Sequence, residues 1–492
     1  MLIHGNEIKP SYNGFLKWRH FVLFHLFSVV MSHFSLQRLT ASVLCSLAAV
    51  GAWAQATPVA ETEDTSARYQ LTYNWQHHSA FQEKYHGQNS LSNQAERMYT
   101  FSTTAHWGFR PWQDGELYFN PEVTSGIPFS GNLVGLGGFT NGEITRAGGS
   151  TPKLYRQRLF VRQTWNHGGE KEQIESDFNQ MAGVVDKNRF VLTAGNFSTL
   201  DVFDDNAYAK DPRTQFMNWG NWTYASYDYA ADARGFGWGF AGEWYQDNWV
   251  LRFGRMTGPK DPNGLPVDFA LGKHYGDQVE LERGHMLADQ PGKVRVLVWR
   301  NRAQTASFND AARWLQNRAC MQTNNCAAET TPQALIDSRN GEKIKYGLGV
   351  NIEQAINPSV GFFLRAMKAD GKTETYAFTE ADGSLSTGFV FKGGLWGRAD
   401  DAVGVAFMHN TLSPERRGFL AAGGMSYFIG DASASSATSL TYKPEQILEA
   451  FYSFQMTRGT WLTADYQRIQ NPAYNADRGP VNVYAARFHA EF

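Results

Sequence analysis

Three arginines, Arg156, Arg158 and Arg162, lie within seven residues of one another, separated by Leu159 and Val161 and preceded by Tyr155. In an extended strand successive side chains point to opposite faces. The three guanidinium groups then share the face opposite Tyr155, Leu159 and Val161, with only Phe160 interrupting them. Guanidinium groups are planar, permanently charged forks of donors, suited to hydrogen-bonding a ligand's hydroxyl groups. They could equally be neutralised by acidic partners such as Glu122, Glu280 or Glu282. Upstream, Tyr118, Asn120 and Glu122 alternate with Leu117 and Phe119, which joins an aromatic face to polar tips. Ordinary polar filling of an interior is the plainer reading of the same residues. Trp299 and Trp461 fall on the same side by parity and are candidates for an aromatic track.

A third group occupies one connecting segment: Asp201, Asp204, Asp205, Asp211 and Arg213, with Phe203, Tyr208 and Trp219. It is too aromatic for a solvated loop and is expected to fold inward, narrowing whatever space lies behind it. The acidic spacing does not follow a calcium-loop pattern, so neither a metal nor a cofactor is assigned. Covalent catalysis needs a nucleophile beside a positioned base. Histidines are present at 77, 78, 86, 106, 167, 274, 285, 409 and 489, but no Gly-x-Ser-x-Gly or His-Glu-x-x-His motif accompanies them. His77 and His78, being adjacent, point to opposite faces. The chain is not read as an enzyme.

The elements that must position these groups are strands. Of 492 residues 14% are aromatic and 47 are Gly, while only 19% are charged, which excludes a disordered chain, a coiled coil or a nucleic-acid binder with a basic face. A mean hydropathy of −0.43 is too polar for a bundle of membrane helices. Residues 31–54 read as a secretory signal, with Arg38, an apolar stretch Leu39–Val50 and the small-x-small ending Ala52-Trp53-Ala54. Residues 1–30 are an extension upstream of Met31, or a long n-region carrying Lys17 and Arg19. Removing residues 1–54 leaves 41 basic and 46 acidic residues, a net charge of −5. Cys320 and Cys326 remain, in a segment where Phe308, Ala312 and Leu315 have helical spacing, and suit a short disulfide staple in an oxidising compartment.

The chain ends on alternating Tyr484, Ala486, Phe488, Ala490 and Phe492, a pattern resembling the C-terminal signal by which outer-membrane barrels engage their assembly machinery. Such strands need only about 9–11 residues, with one face toward lipid and the other toward a polar lumen. The same period recurs in sixteen segments from Tyr69 to Phe492. Periplasmic turns are short and outer loops long. Short links such as Pro111–Gly115, Gln246–Asn248 and Thr457–Gly459 follow even-numbered segments, and long ones such as 125–153, 198–233 and 411–445 follow odd-numbered ones. Counting Thr375–Phe378 as spanning breaks this alternation, so it is placed in an outer loop. The link 167–188 is long for a periplasmic turn and leaves room for a short helix. The expectation is an all-β, 16-stranded antiparallel transmembrane β-barrel over 68–492, with 18 strands as the alternative, preceded by a short periplasmic segment 55–67.

Several stretches resemble the carbohydrate-selective outer-membrane porins of the OprB type. They are GELYFNPE (115–122), GFTNGE (138–143), YRQRLFVRQT (155–164), NQMAG (179–183) and, most specifically, DVFDDNAYAKDPRTQFMNW (201–219) with YDYAADARG (227–235). The resemblance is dense over about 115–240 and has no counterpart for the Cys320–Cys326 insert. It implies passive diffusion of mono- and small oligosaccharides across the bacterial outer membrane. Tyr118, Asn120, Glu122, Arg156, Arg158, Arg162, Asp211, Arg213 and Trp219 are then the candidate pore-lining residues. The expected partners are sugars, outer-membrane lipids and, through Phe492, the barrel assembly machinery, with no nucleic acid. A general or anion-preferring porin is the alternative within this class. A gated active transporter is disfavoured because Gln55–Arg68 is too short for a plug domain.

Overall fold

The computed structural model describes residues 62–317, 331–377, 380–431 and 440–492. The expected signal 1–54, the first part of the segment 55–67, Cys320, Cys326 and Phe378 lie outside these residues. Sixteen strands form one closed antiparallel barrel in strict chain order. They are β1 (Thr65–His78), β2 (Glu96–Trp112), β3 (Gly115–Ile127), β4 (Gly149–Asn166), β5 (Arg189–Phe197), β6 (Gly237–Gln246), β7 (Trp249–Met256) and β8 (Tyr275–Leu287). The second half is β9 (Gln290–Gln304), β10 (Glu342–Asn357), β11 (Val360–Ala369), β12 (Gly383–Lys392), β13 (Ala402–Thr411), β14 (Glu445–Thr457), β15 (Thr460–Gln470) and β16 (Val481–Glu491). The count and chain positions agree with the dyad pattern in the sequence, though β1 starts at Thr65 rather than 68.

Closure joins β1 to β16, from Gln70 opposite Glu491 to His78 opposite Val483. Phe492 completes the seam: its N–H donates to the Tyr69 carbonyl at 2.9 Å and its carbonyl accepts from the Tyr69 N–H at 3.0 Å. Tyr73, Val161, Phe240, Val298, Leu348, Leu448 and Phe488 point outward and are exposed, while Thr72, Asn74, Thr104, Asn351 and Thr463 point inward and are buried. Turns at one end are tight. At the β8–β9 turn Ala288 and Asp289 both have positive φ, 49° and 58°, the two-residue geometry that matches strand twist.

The parity argument fails at one place. The pairing of β3 with β4 shifts between Asn120 and Pro121, so that Asn120 faces Arg158 but Pro121 faces Arg156, with Gln157 as the extra residue. A bulge of one residue reverses every side chain beyond it. Arg156 therefore shares the outward face of Pro121, and Tyr155 turns inward opposite Glu122, the reverse of the sequence expectation for both.

The connections also differ in one respect. Link 167–188 contains a small β-hairpin, Lys171–Ile174 with Gly183–Asp186, and not a helix. Residues 375–377 lie in the outer link between β11 and β12, buried and not in a strand. Helix α1 (Phe308–Asn317) occurs where helical spacing predicts it, and α2 (Thr331–Asp337) and α3 (Pro414–Ala421) join it on the outer links. Phe308, Ala311 and Leu315 pack with Phe419, Leu420 and Tyr474. Beneath α3, Arg416 donates to the Asp382 carboxylate at 2.9 and 3.0 Å and pairs with Glu380.

Facing determines the cost of a charge. Leu159→Arg, on the lipid side of β4, should lower barrel stability by about 2–4 kcal/mol if it lies near mid-membrane. Arg158→Ala, one residue away on the inner side, should leave the heat-modifiable folded band intact. Denaturant unfolding of both variants in lipid vesicles checks the assignment, and equal effects would contradict it.

Candidate functional site

The lumen is not open across its width. Segments 128–148 and 198–236 enter it from the end with long links and are pinned there by polar groups on the inner face of the wall. Glu449 on β14 accepts from the N–H groups of Met217 and Asn218, at 2.6 and 3.1 Å, and from the Asn221 amide at 2.6 Å. Glu445 accepts from the N–H groups of Gly137 and Gly138 at 2.9 and 2.8 Å. Arg487 donates to the carbonyls of Pro212 and Gln215, and Arg365 to the Asp204 carboxylate at 2.8 Å. Buried donors and acceptors that would otherwise be unsatisfied are thereby matched between loop and wall. The 201–219 segment does fold inward as its aromatic content predicts, with Phe203, Phe216 and Met217 fully buried.

From the opposite end, the hairpin in link 167–188 tucks its tip into the mouth. Arg162 donates to the Asn179 carbonyl at 2.9 Å, the Met181 N–H donates to the Tyr118 hydroxyl at 3.1 Å, and the Phe178 ring lies 4.6 Å from His106. Between the two sets of insertions a cavity of about 870 Å³ runs along the β2–β7 sector. Arg158, Arg162 and Arg146 border it, with Arg110, Arg189 and Arg252, the aromatic rings of Phe160, Trp222, Tyr229 and Tyr245, and the amide of Gln157. Eight cationic side chains (seven Arg and Lys210) and eight carboxylates border the cavity in all.

Arg158 is held in a fixed orientation while keeping some exposure. Its Nε and Nη2 grip both oxygens of Asp201 at 2.7 and 2.6 Å, and its Nη1 donates to Gln157 at 2.5 Å. Three of its five N–H groups are so used and two remain. The guanidinium lies 5.1 Å from the Phe236 ring centre. Asp201 caps a short 3-10 turn, with its carboxylate accepting from the Ser198 N–H at 2.8 Å. Burial opposes its charge, but the Arg158 guanidinium outweighs burial and holds its carboxyl below the ordinary aspartate value.

The sequence candidates divide into four groups. Arg158, Arg162 and Asp211 border the cavity. Tyr118, Asn120 and Glu122 point inward as parity requires but are closed off. The Tyr118 hydroxyl donates to Glu116 at 2.8 Å, and the Asn120 amide bonds His106 at 2.6 Å. Glu122 accepts from Thr104, Gln157 and Arg213 on one oxygen and from Tyr155 on the other. Arg213 reaches the cavity but is clamped between Glu122 at 2.7 Å and Glu143 at 2.9 Å. Trp219 and Arg156 lie elsewhere. Trp219 is buried behind the cavity, its ring 4.7 Å from Trp222 and 6.3 Å from Tyr229. Arg156 is on the outer surface, 5.0 Å from the Trp238 ring centre. Trp299 is inward as expected but is covered by Tyr227, 5.7 Å away. Strand parity would have identified Arg110, Arg189 and Arg252, which alternate with outward Phe109, Phe190 and Leu251. Arg146 sits on an inward link where no periodicity applies.

Residues 88–492 match the family model described as carbohydrate-selective porin, OprB family. Among solved structures, the high-pH structure of Pseudomonas putida OprB is similar at a TM-score of 0.61 and 14% identity, covering 87% of this chain and 94% of that one. Pseudomonas aeruginosa OccK2 (OpdF) is similar at a TM-score of 0.41 and 9% identity, over 88% of this chain and 98% of that one. A mutant of Rh. blastica porin gives 0.42 at 7% identity, over 87% and 100%. No curated protein sequence matches the chain.

Removing one partner of a buried ion pair leaves an uncompensated charge, at a cost of about 3–5 kcal/mol. Arg213→Ala should therefore destabilise the barrel by that order, release the inward link and raise single-channel conductance; thermal unfolding and bilayer recording measure the two effects. Asp201, depressed below the ordinary value of 3.8, stays charged as pH falls to that value, so its pair with Arg158 persists. Asp201→Asn should raise anion preference at neutral pH. The Asp201-dependent part of that preference, wild type against Asp201→Asn, should not appear in the wild type until the pH is below 3.8.

Proposed function

The chain belongs to the carbohydrate-selective porin family OprB, a channel and not an enzyme of the bacterial outer membrane, and we propose that small neutral sugars diffuse through it along the β2–β7 cavity. Mono- and small oligosaccharides are the solutes, and no cofactor takes part. The observation carrying this reading is Arg158. Asp201 fixes the plane of its guanidinium, two N–H groups remain, and the rings of Trp222 and Tyr229 border the same cavity. A sugar ring needs both features, donors for its hydroxyls and an apolar face for its CH groups. Arg162, 5.5 Å from the ring centre of cavity-lining Phe160, offers a second such pairing nearer the periplasm. Selectivity then comes from bore, donors and fixed charge, with no step that consumes energy.

Charge balance favours this over the anion-preferring alternative. Eight cationic groups matched by eight carboxylates give the cavity little net charge, which suits a neutral, hydrogen-bonding solute. The deciding experiment is single-channel recording of residues 55–492 in a planar bilayer, with glucose and then a neutral polymer of similar size. Glucose should block in a concentration-dependent way that the polymer does not reproduce. Arg158→Ala should weaken that block about tenfold, as expected for losing one charged hydrogen bond. Conductance with clear anion preference and no sugar-specific block would establish the general porin in its place.

A further inference from the structure

The two ends of the barrel differ on the outside. At the end with long links, outward positions level with lipid-exposed residues are basic. Arg255 lies opposite Phe240, Arg300 opposite Tyr346, Arg302 opposite Ile344, Lys368 opposite Leu348 and Arg468 opposite Leu448. The bulge in β4 adds Arg156 to this face. The outward acidic residues at these levels are Asp277 and Glu342. Asp277 is shared by Arg255 at 2.7 Å and Arg300 at 3.0 Å, and Glu342 pairs with Arg302. Arg156 has no carboxylate partner among the described residues; its Nε donates to Asn196 at 3.3 Å and its guanidinium lies 5.0 Å from the Trp238 ring centre. At the periplasmic end the same face is aromatic, with Phe109, Trp165, Trp249 and Phe454 exposed and Arg283 lying over the Trp249 ring.

A guanidinium on the lipid side is tolerated only where it reaches the headgroup layer. The group that matches its fork there is phosphate, bound by paired N–H donors. We propose that this rim docks phosphate-bearing glycolipid headgroups of the outer leaflet, with Arg156, Arg300 and Arg302 as its principal contacts. Arg300 is half exposed and Arg302 more than a third, so donors remain after their ion pairs are made.

The test uses the detergent-solubilised mature chain and three probes: bis-phosphorylated lipid A, the same lipid dephosphorylated, and inorganic phosphate. Native mass spectrometry should show the phosphorylated lipid retained at least tenfold more strongly than the dephosphorylated one. Inorganic phosphate should not displace it at equal concentration. The combined substitutions Arg156→Gln, Arg300→Gln and Arg302→Gln should abolish the preference while leaving channel conductance unchanged. Equal retention of both lipids, full displacement by phosphate, or an unaltered preference in the folded variant would overturn the proposal. If the triple variant does not assemble, the lipid comparison on the unaltered protein decides it alone.

Discussion

Inside hydrocarbon a peptide group has no water to bond, so each N–H and C=O of the wall must find its partner within the protein. Everything else in this molecule follows from meeting that demand by closure. The seam between β1 and β16 removes the last free edge, and Phe492 extends it to the end of the chain. Once the wall is closed, strand alternation forces half of its side chains inward. Those positions carry amides, hydroxyls and charges, which are in turn costly to bury unpaired. The inserted links answer that second demand. Their backbone N–H groups and carbonyls meet Glu445, Glu449 and Arg487, so wall and filling satisfy one another.

Two kinds of ion pair result, with different uses. Arg213 between Glu122 and Glu143, and Arg365 on Asp204, are almost wholly buried and hold a link in place. Such pairs contribute little net stability over an apolar substitute but are expensive to break. Arg158 on Asp201 is built otherwise. Its side chain keeps 13% exposure and part of its donor set while its orientation is fixed. On the proposed reading, a solute meets a donor that need not be reorganised on arrival.

How much of this was legible in the sequence depended on whether a residue lay in a regular strand. Strand number and facing came from period-two alternation and from the lengths of links, because both are consequences of spanning a bilayer. The Tyr155 and Arg156 positions were misread because one extra residue, Gln157, is invisible to a periodicity. Pro121 was the available warning, since a proline within a strand has no N–H for the ladder and favours a bulge or an edge. In the links no period exists. Aromatic content said that 201–219 would turn inward, but nothing in it told that Trp219 would pack behind the cavity rather than border it. The hairpin in link 167–188 was visible only as excess length.

Because the links fill the β8–β16 side of the lumen, the cavity is eccentric, and on the proposed reading the bore of the passage is unrelated to the barrel's circumference. Sixteen strands set the size of the container, while on that reading the segments 128–148, 198–236 and 167–188 set the size of what passes. These are separate stretches of chain, so insertions and deletions can retune permeability without touching a single membrane-facing residue. A change of solute is then within reach of loop evolution alone, under a wall whose sequence is held by the bilayer.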